Sequence, residues 1–141
     1  MLDLFIDGIA AIATPDTLAL MILGVIVGII FGSVPGLTAV TGIALFLPVT
    51  YSLGPIKGMA LLMAIYIGAV SGGLIAAILI NIPGTPASVA TCFDGTPLAR
   101  KGQAYKALGV GTVFSFLGTI FGILILVFVS PIIANFALKF G

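Results

Sequence analysis

The feature that most constrains this sequence is the length of chain that carries no charge. The stretches 17–56, 58–93 and 107–138 contain no Asp, Glu, Lys or Arg. About 20 apolar residues cross the roughly 30 Å hydrocarbon core of a bilayer, so each stretch can span it at least once. Charged residues make up 6% of the sequence and apolar residues 61%, against about 25% and roughly 45 to 50% in soluble domains. The composition therefore predicts an all-α, polytopic transmembrane protein.

Helix-breaking residues divide the uncharged stretches into shorter predicted elements. The apolar segment from Leu37 to Leu47 has a rise of about 16 Å as a helix, which is roughly half the hydrocarbon thickness, and Pro48 follows it. This length favours a re-entrant segment. The complete prediction is an interfacial helix at 2–13, membrane helices at about 17–33, 58–82 and 107–129, a re-entrant segment at about 37–48, and a polar loop at about 83–106.

Small residues recur at helical spacing in two of the predicted membrane helices. Such faces allow the backbones of neighbouring helices to approach closely, so both are expected to pack against another helix. The first face consists of Gly24, Gly28, Gly32 and Gly36, and the second of Gly111, Ser115, Gly118 and Gly122.

Two similar Pro-Gly breaks, 33–39 and 81–87, follow the first and second membrane helices. Pro35 and Pro83 prevent a continuous helix, because proline lacks an amide proton. Broken helices at membrane depth point to transporter sites, since their ends present free amides to carboxylates and free carbonyls to cations. The alternative is that both breaks are ordinary loop ends at the membrane interface.

Catalytic chemistry has little support in the sequence. There is no His or Glu, and three of the four aspartates precede the first membrane helix. Acid–base or nucleophilic catalysis needs a positioned pair of such groups. Cys92 is the single cysteine, so the chain cannot assemble a thiolate metal site by itself. With a net charge of +1, the chain is not expected to bind nucleic acid.

Two blocks of the sequence resemble a known transporter family. GxxxGxxPGLTAVTGIALFLPVTY begins at Gly28, and AIYIGAVSGGLIAAILINIPGTPASVATCFDGTPLARKGQAYKALG begins at Ala64. Together they resemble the TctA family, the large membrane subunit of tripartite tricarboxylate transporters, over about Gly24 to Leu117. The polar NIPGTP and DGTPLARKG segments are the most specific part of the resemblance.

The resemblance implies a secondary transporter of the bacterial inner membrane that works with a small membrane subunit and a periplasmic solute-binding protein. A cation gradient of Na⁺ or H⁺ would drive uptake of a carboxylate, and no cofactor is implied. Family members are several times longer and have a second half, so we expect this chain to be the first part of an inverted-repeat-type transporter. A different hypothesis is a small helical assembly or scaffold protein whose glycine faces serve only packing.

The expected substrate and cation site lies at the two breaks. Glycines let a ligand approach the backbone, and hydroxyl and amide groups supply neutral ligands. Asp94 could ligate the cation, or it could cap or pair locally with Arg100 or Lys101. The residues predicted to line the site are Ser33, Gly36, Thr38, Asn81, Gly84, Thr85 and Ser88.

Overall fold

The computed structural model describes residues 2–137, which contain helices and no β-strand. This confirms the predicted all-α fold class. In chain order the helices are α1 (Leu2–Ile12), α2 (Pro15–Ser33), α3 (Ala39–Leu53), α4 (Pro55–Ile80), a 3-10 turn (Pro86–Ser88), α5 (Val89–Arg100) and α6 (Ala104–Ala137).

Three of these helices are long and apolar enough to cross a bilayer. They are α2, α4 and the part of α6 from Ala104 to Pro131, with mean hydropathies of 2.1, 2.2 and 2.5. The predicted membrane helix 107–129 ends just before Pro131, but α6 continues through this proline. A proline removes one hydrogen bond from a helix, and apolar membrane helices tolerate this loss.

The helix α3 is longer than the predicted segment 37–48, because Pro48 lies inside it instead of ending it. Thr38 caps its first turn, where the Thr41 amide donates to the Thr38 hydroxyl at 3.4 Å. The helix ends at Gly54, whose φ of 78° is a backbone conformation that glycine adopts without strain. Its 15 residues have a rise of about 22 Å.

The core of the first part of the chain is the contact between α2 and α4, which run parallel. Gly24, Gly28 and Gly32 of α2 are buried. On α4, Gly24 lies against Leu61 and Ala64, Gly28 against Ile65 and Ala69, and Gly32 against Ala69. Reciprocally, Gly68 and Gly72 of α4 lie against Val25 and Ile29 of α2. The predicted packing of the glycine face is confirmed for its first three members. Gly36 lies beyond the end of α2, with a φ of 95°, and is exposed.

The helix α3 packs on the same pair in the opposite direction. Gly42 lies near Ile65 and Phe31, and Gly58 near the start of α4 lies against Thr50 near the end of α3. The chain therefore reverses its direction at the first break, and the end of α3 lies beside the start of α4. The ion pair between Lys57 Nζ and Asp16 Oδ2, 3.2 Å apart, joins the starts of α4 and α2 at this end.

The predicted polar loop at 83–106 contains the helix α5. A high density of charge keeps a segment out of hydrocarbon, but it does not prevent a helix. Pro97 lies inside α5, and Gly102 forms the turn after it, with a φ of 75°.

Two compact units make up the chain, Met1–Leu108 and Gly109–Gly141. The described part of the second unit is the remainder of α6. None of its described residues is buried, and a side chain at Gly118 or Gly122 would meet nothing within 4 Å. The packing of the second small-residue face therefore remains a prediction.

Candidate functional site at the two helix breaks

The first break begins where α2 ends at Ser33. The Val34 amide donates to the Ile30 carbonyl at 3.3 Å, and the Leu37 amide donates to the Val34 carbonyl at 3.1 Å. These two bonds close a turn that contains Pro35 and Gly36, both exposed. The turn carries the chain from α2 into the capped start of α3.

The second break begins at Asn81, which ends α4 in the left-handed conformation with a φ of 58°. The Thr96 hydroxyl of α5 lies 2.9 Å from the Ala77 carbonyl oxygen and 3.0 Å from Asn81 Oδ1, so its single proton is shared between these two acceptors. The exposed Pro83 follows. The last turn of α4 is thus tied to the middle of α5 by a buried threonine.

The tip of the second break folds back against the helices that precede it. A Cβ at Gly84 would overlap the Gly32 carbonyl oxygen near the end of α2, and a Cβ at Gly73 would lie 2.8 Å from the Thr85 hydroxyl. The Ser33 hydroxyl lies 3.5 Å from the Gly72 carbonyl, a long hydrogen bond. The end of α2, the Gly72-Gly73 step of α4 and the tip of the second break therefore meet at one place.

Thr85 and Ser88 form a buried polar turn at this tip. The Ser88 hydroxyl donates to the Thr85 carbonyl at 2.8 Å and accepts from the Thr85 amide at 3.2 Å. The Ser88 amide donates to the Thr85 carbonyl at 3.0 Å, and it also faces the Thr85 side chain, so that Thr85 and Ser88 form a capping box. No further hydrogen-bond partner of the buried Thr85 hydroxyl is found within residues 2–137.

The structure thus brings together four of the predicted site residues, Ser33, Gly84, Thr85 and Ser88. Asn81 lies one turn away at the end of α4. Gly36 and Thr38 are not part of this cluster: a side chain at Gly36 would meet nothing within 4 Å, and the Thr38 hydroxyl lies 3.2 Å from that of Thr41.

A cleft of about 470 Å³ lies between Asn81 and α5. Arg100 also lines this cleft, a position that the sequence analysis does not predict. A helical pattern would predict it, because Val89, Phe93, Thr96 and Arg100 recur at helical spacing. The complete lining is Asn81, Pro83, Val89, Cys92, Phe93, Thr96, Pro97 and Arg100.

Asp94 lies on the exposed side of α5. The expected local ion pair with Arg100 or Lys101 is not present, since the ion pair found within residues 2–137 joins Asp16 and Lys57. The same part of the chain contains no cluster of three or more His, Cys, Asp or Glu side chains that could hold a metal ion.

Comparison with known proteins gives a family match and one similar relative. The family model described as the tripartite tricarboxylate transporter TctA family matches residues 18–141. A protein of Agrobacterium vitis, described as an uncharacterized 52.8 kDa protein in the TAR-I ttuC' 3' region, is 38% identical over 144 residues. That alignment covers 100% of this chain and 29% of the relative, so the chain spans less than a third of the length of the curated relative it matches.

No solved structure matches the chain significantly. The family match extends from the first turn of α2 to the end of the chain and includes both helix breaks. TctA proteins are transport proteins and not enzymes, in line with the absence of His and Glu from this sequence. This chain belongs to the tripartite tricarboxylate transporter TctA family.

Proposed function

We propose that this chain is the amino-terminal part of the large membrane subunit of a cation-coupled secondary transporter for tricarboxylates or related carboxylates. The observation that carries the proposal is the fold-back of the second break onto the end of α2, where Gly84 lies on the Gly32 carbonyl. Irregular backbone beside membrane helices is tolerated where protein or an aqueous cavity surrounds it, and transporters bind substrates at such breaks. Membership of the TctA family supports the same function.

In this proposal the predicted site residues line half of a carboxylate and cation site. The stretches 17–56 and 58–93 contain no Lys or Arg, so a carboxylate bound there relies on amide protons, hydroxyls, Asn81 and a co-bound cation. Substrate binding then depends on the coupling ion, Na⁺ or H⁺. Arg100, which lines the Asn81 cleft, supplies a cationic side chain on the approach to the site.

In this proposal the chain forms the first part of an inverted-repeat-type transporter. α3 is the re-entrant arm that returns from the first break, and the segment 81–100 makes a second, shorter excursion from the end of α4. The protein lies in the bacterial inner membrane and works with a small membrane subunit. A periplasmic solute-binding protein delivers the carboxylate to it.

The test is uptake of labelled tricarboxylate by the full-length protein that contains this segment. It is reconstituted in liposomes with the small membrane subunit, the loaded binding protein and an imposed Na⁺ or H⁺ gradient. We expect saturable uptake that stops when the gradient is dissipated. A full-length protein that folds but shows neither uptake nor thermal stabilisation by any carboxylate would favour the assembly or scaffold hypothesis instead.

A further inference from the structure

The cleft between Asn81 and α5 combines one cationic residue with a mostly apolar lining. It has a volume of about 470 Å³, and its apolar lining consists of Pro83, Val89, Cys92, Phe93 and Pro97. Thr96, one of its few polar residues, already shares its hydroxyl proton between the Ala77 carbonyl and Asn81. The cleft therefore offers a ligand extensive apolar contact and few hydrogen bonds.

The cation in this cleft is available to a ligand. Arg100 is exposed, and within residues 2–137 it takes part in no ion pair, since the pair found there lies at the other end of α4. Lys101 and Lys106 follow it, and Asp94 is the single acidic residue between positions 89 and 106, so this segment carries a charge of 3 − 1 = +2. A guanidinium forms two parallel hydrogen bonds with a phosphate or a carboxylate. The cleft therefore attracts a ligand that has an anionic group.

The position of the cleft relative to a bilayer follows from α4, because the cleft lies where this helix ends. The 26 residues of α4 have a rise of about 39 Å, more than the roughly 30 Å hydrocarbon core. A spanning α4 therefore ends at the level of the lipid headgroups. Ile80, Ile82 and Phe93 are exposed apolar side chains around the cleft, and Tyr105 is exposed as well. Tyrosine is enriched at this level of the membrane, so acyl chains and phosphates are both within reach.

We propose that the cleft binds an anionic phospholipid, with Arg100 on the headgroup phosphate and an acyl chain along Val89 and Phe93. Basic pockets between membrane helices bind such headgroups. A free tricarboxylate fits less well, because it has no apolar part and would lose hydration against apolar side chains without gaining partners. The inference does not rest on the proposed function, whose predicted site residues at the helix breaks do not include Arg100.

The test uses Cys92 as a local measure of occupancy, because this residue lines the cleft. In a full-length protein whose other cysteines are replaced, the rate at which Cys92 reacts with a maleimide is measured in detergent with added lipid. We expect phosphatidylglycerol to slow the reaction. Phosphatidylcholine with the same acyl chains should need a concentration about fivefold higher or more, the effect of about one lost charge interaction. Glycerol phosphate and citrate, which have no acyl chain, should not slow it.

Substitutions of Arg100 test which residue recognises the headgroup. Arg100→Gln should raise the phosphatidylglycerol concentration that halves the reaction rate by about fivefold or more. Arg100→Lys should raise it less, because lysine keeps the charge but loses the planar fork. The matched control is Lys57→Gln, which removes the same charge at the start of α4 and should leave this concentration unchanged. Equal protection of wild type and Arg100→Gln would overturn the inference.

Three other results would also overturn it. Equal protection by phosphatidylglycerol and phosphatidylcholine would show that the cleft does not recognise the anionic charge. Protection by citrate or glycerol phosphate would identify a soluble anion as the occupant, and citrate would place Arg100 on the substrate pathway. A Cys92 that reacts only after unfolding, with or without lipid, would show that the rest of the full-length protein covers the cleft. None of these results decides whether the protein transports a carboxylate, which the uptake experiment measures.

Discussion

At the scale of single residues, Asn81 combines a structural role with its proposed binding role. Its φ of 58° is the one positive value of a non-glycine residue in the described range 2–137, and its Oδ1 accepts from the Thr96 hydroxyl at 3.0 Å. Asparagine tolerates the left-handed conformation better than most residues because its side chain can bond locally. Loss of activity in Asn81→Ala would therefore not by itself identify a ligand contact.

Comparing two substitutions separates these roles. Asn81→Gly and Asn81→Ala both remove the side-chain acceptor for Thr96 and leave the Ala77 carbonyl, but alanine is also strained in the left-handed conformation by about 1 to 2 kcal/mol. We expect Asn81→Ala to lower the free energy of unfolding by about 1 kcal/mol more than Asn81→Gly. Denaturant titration of the detergent-solubilised protein measures the difference. Equal stability of the two variants would show that the left-handed conformation at position 81 is not maintained.

Uptake by Asn81→Gly then tests the binding role with less interference from folding. If the amide of Asn81 contacts the carboxylate, its removal should weaken the apparent affinity for substrate about tenfold to 150-fold, the range for a hydrogen bond to a charged group of about 1.5 to 3 kcal/mol. The measurement is uptake at matched membrane expression, with Asn81→Asp as the control that retains an acceptor for Thr96. Wild-type affinity in Asn81→Gly would exclude the amide from the site.

At the scale of elements, the parallel pair α2 and α4 depends on close backbone contact. A Cβ at Gly28 or Gly32 would overlap backbone atoms of Ile65 or Ala69, whereas a Cβ at Gly24 would lie 2.8 Å from the Ala64 Cβ, 3.0 Å from the Leu61 carbonyl oxygen and 3.2 Å from a Leu61 methyl. The overlap that α4 has to relieve is therefore smaller at Gly24 than at Gly28 or Gly32. The tolerance for a larger residue should therefore decrease along α2 toward the first break.

This gradient in tolerance predicts the order in which three glycine substitutions destabilise the protein. Gly28→Ala and Gly32→Ala should each cost about 3 kcal/mol or more, and Gly24→Ala about 1 to 2 kcal/mol, by overpacking. Yield of folded protein and melting temperature in detergent measure the order. The control is Gly8→Ala in α1, where a Cβ would meet nothing within 4 Å and alanine favours the helix. Equal effects at positions 24 and 32 would contradict the parallel packing of α2 and α4.

The elements differ in how far the sequence predicts them. Long uncharged stretches and glycines four residues apart are local patterns, so the three apolar helices and the packing face at Gly24, Gly28 and Gly32 were predictable. Gly84 and Gly32 are in contact although they are 84 − 32 = 52 residues apart in the sequence. No periodic pattern in the sequence predicts this contact. The sequence analysis does not predict the helix α5, because the charges of Asp94 and Arg100 and the presence of Pro97 favour a polar loop.

At the scale of the whole molecule, the charged residues indicate which helix ends lie on the same side of the membrane. The Asp16–Lys57 pair, at 3.2 Å, places the starts of α2 and α4 together, and Tyr51 lies near them at the end of α3. Arg100 and Lys101 follow the end of α4, which has a rise of about 39 Å. If α4 spans the bilayer, these two groups of charged residues lie on opposite sides.

Cysteine labelling tests this topology. In a Cys92→Ala background, single cysteines at positions 52 and 57 should react with a membrane-impermeant reagent from one side, and a cysteine at position 101 from the other. The positive-inside tendency favours the cytoplasmic side for Arg100, Lys101 and Lys106, and we then expect position 57 on the opposite side. Reaction of positions 52 and 57 from opposite sides would rule out the return of α3 to the start of α4.

The last prediction concerns the function of the 141-residue chain by itself. A transporter site formed at the interface of two repeats needs both repeats, and the chain spans 29% of the relative's length. In addition, no described residue from position 109 onward is buried, so most of α6 lacks a packed face within its own unit. We therefore expect liposomes containing the purified chain to show no gradient-driven carboxylate uptake above that of protein-free liposomes. Full-length protein reconstituted in the same lipids is the positive control. Saturable, gradient-driven uptake by the 141-residue chain would show that the site is complete within it, and the two breaks described here would then provide the whole of the substrate pathway.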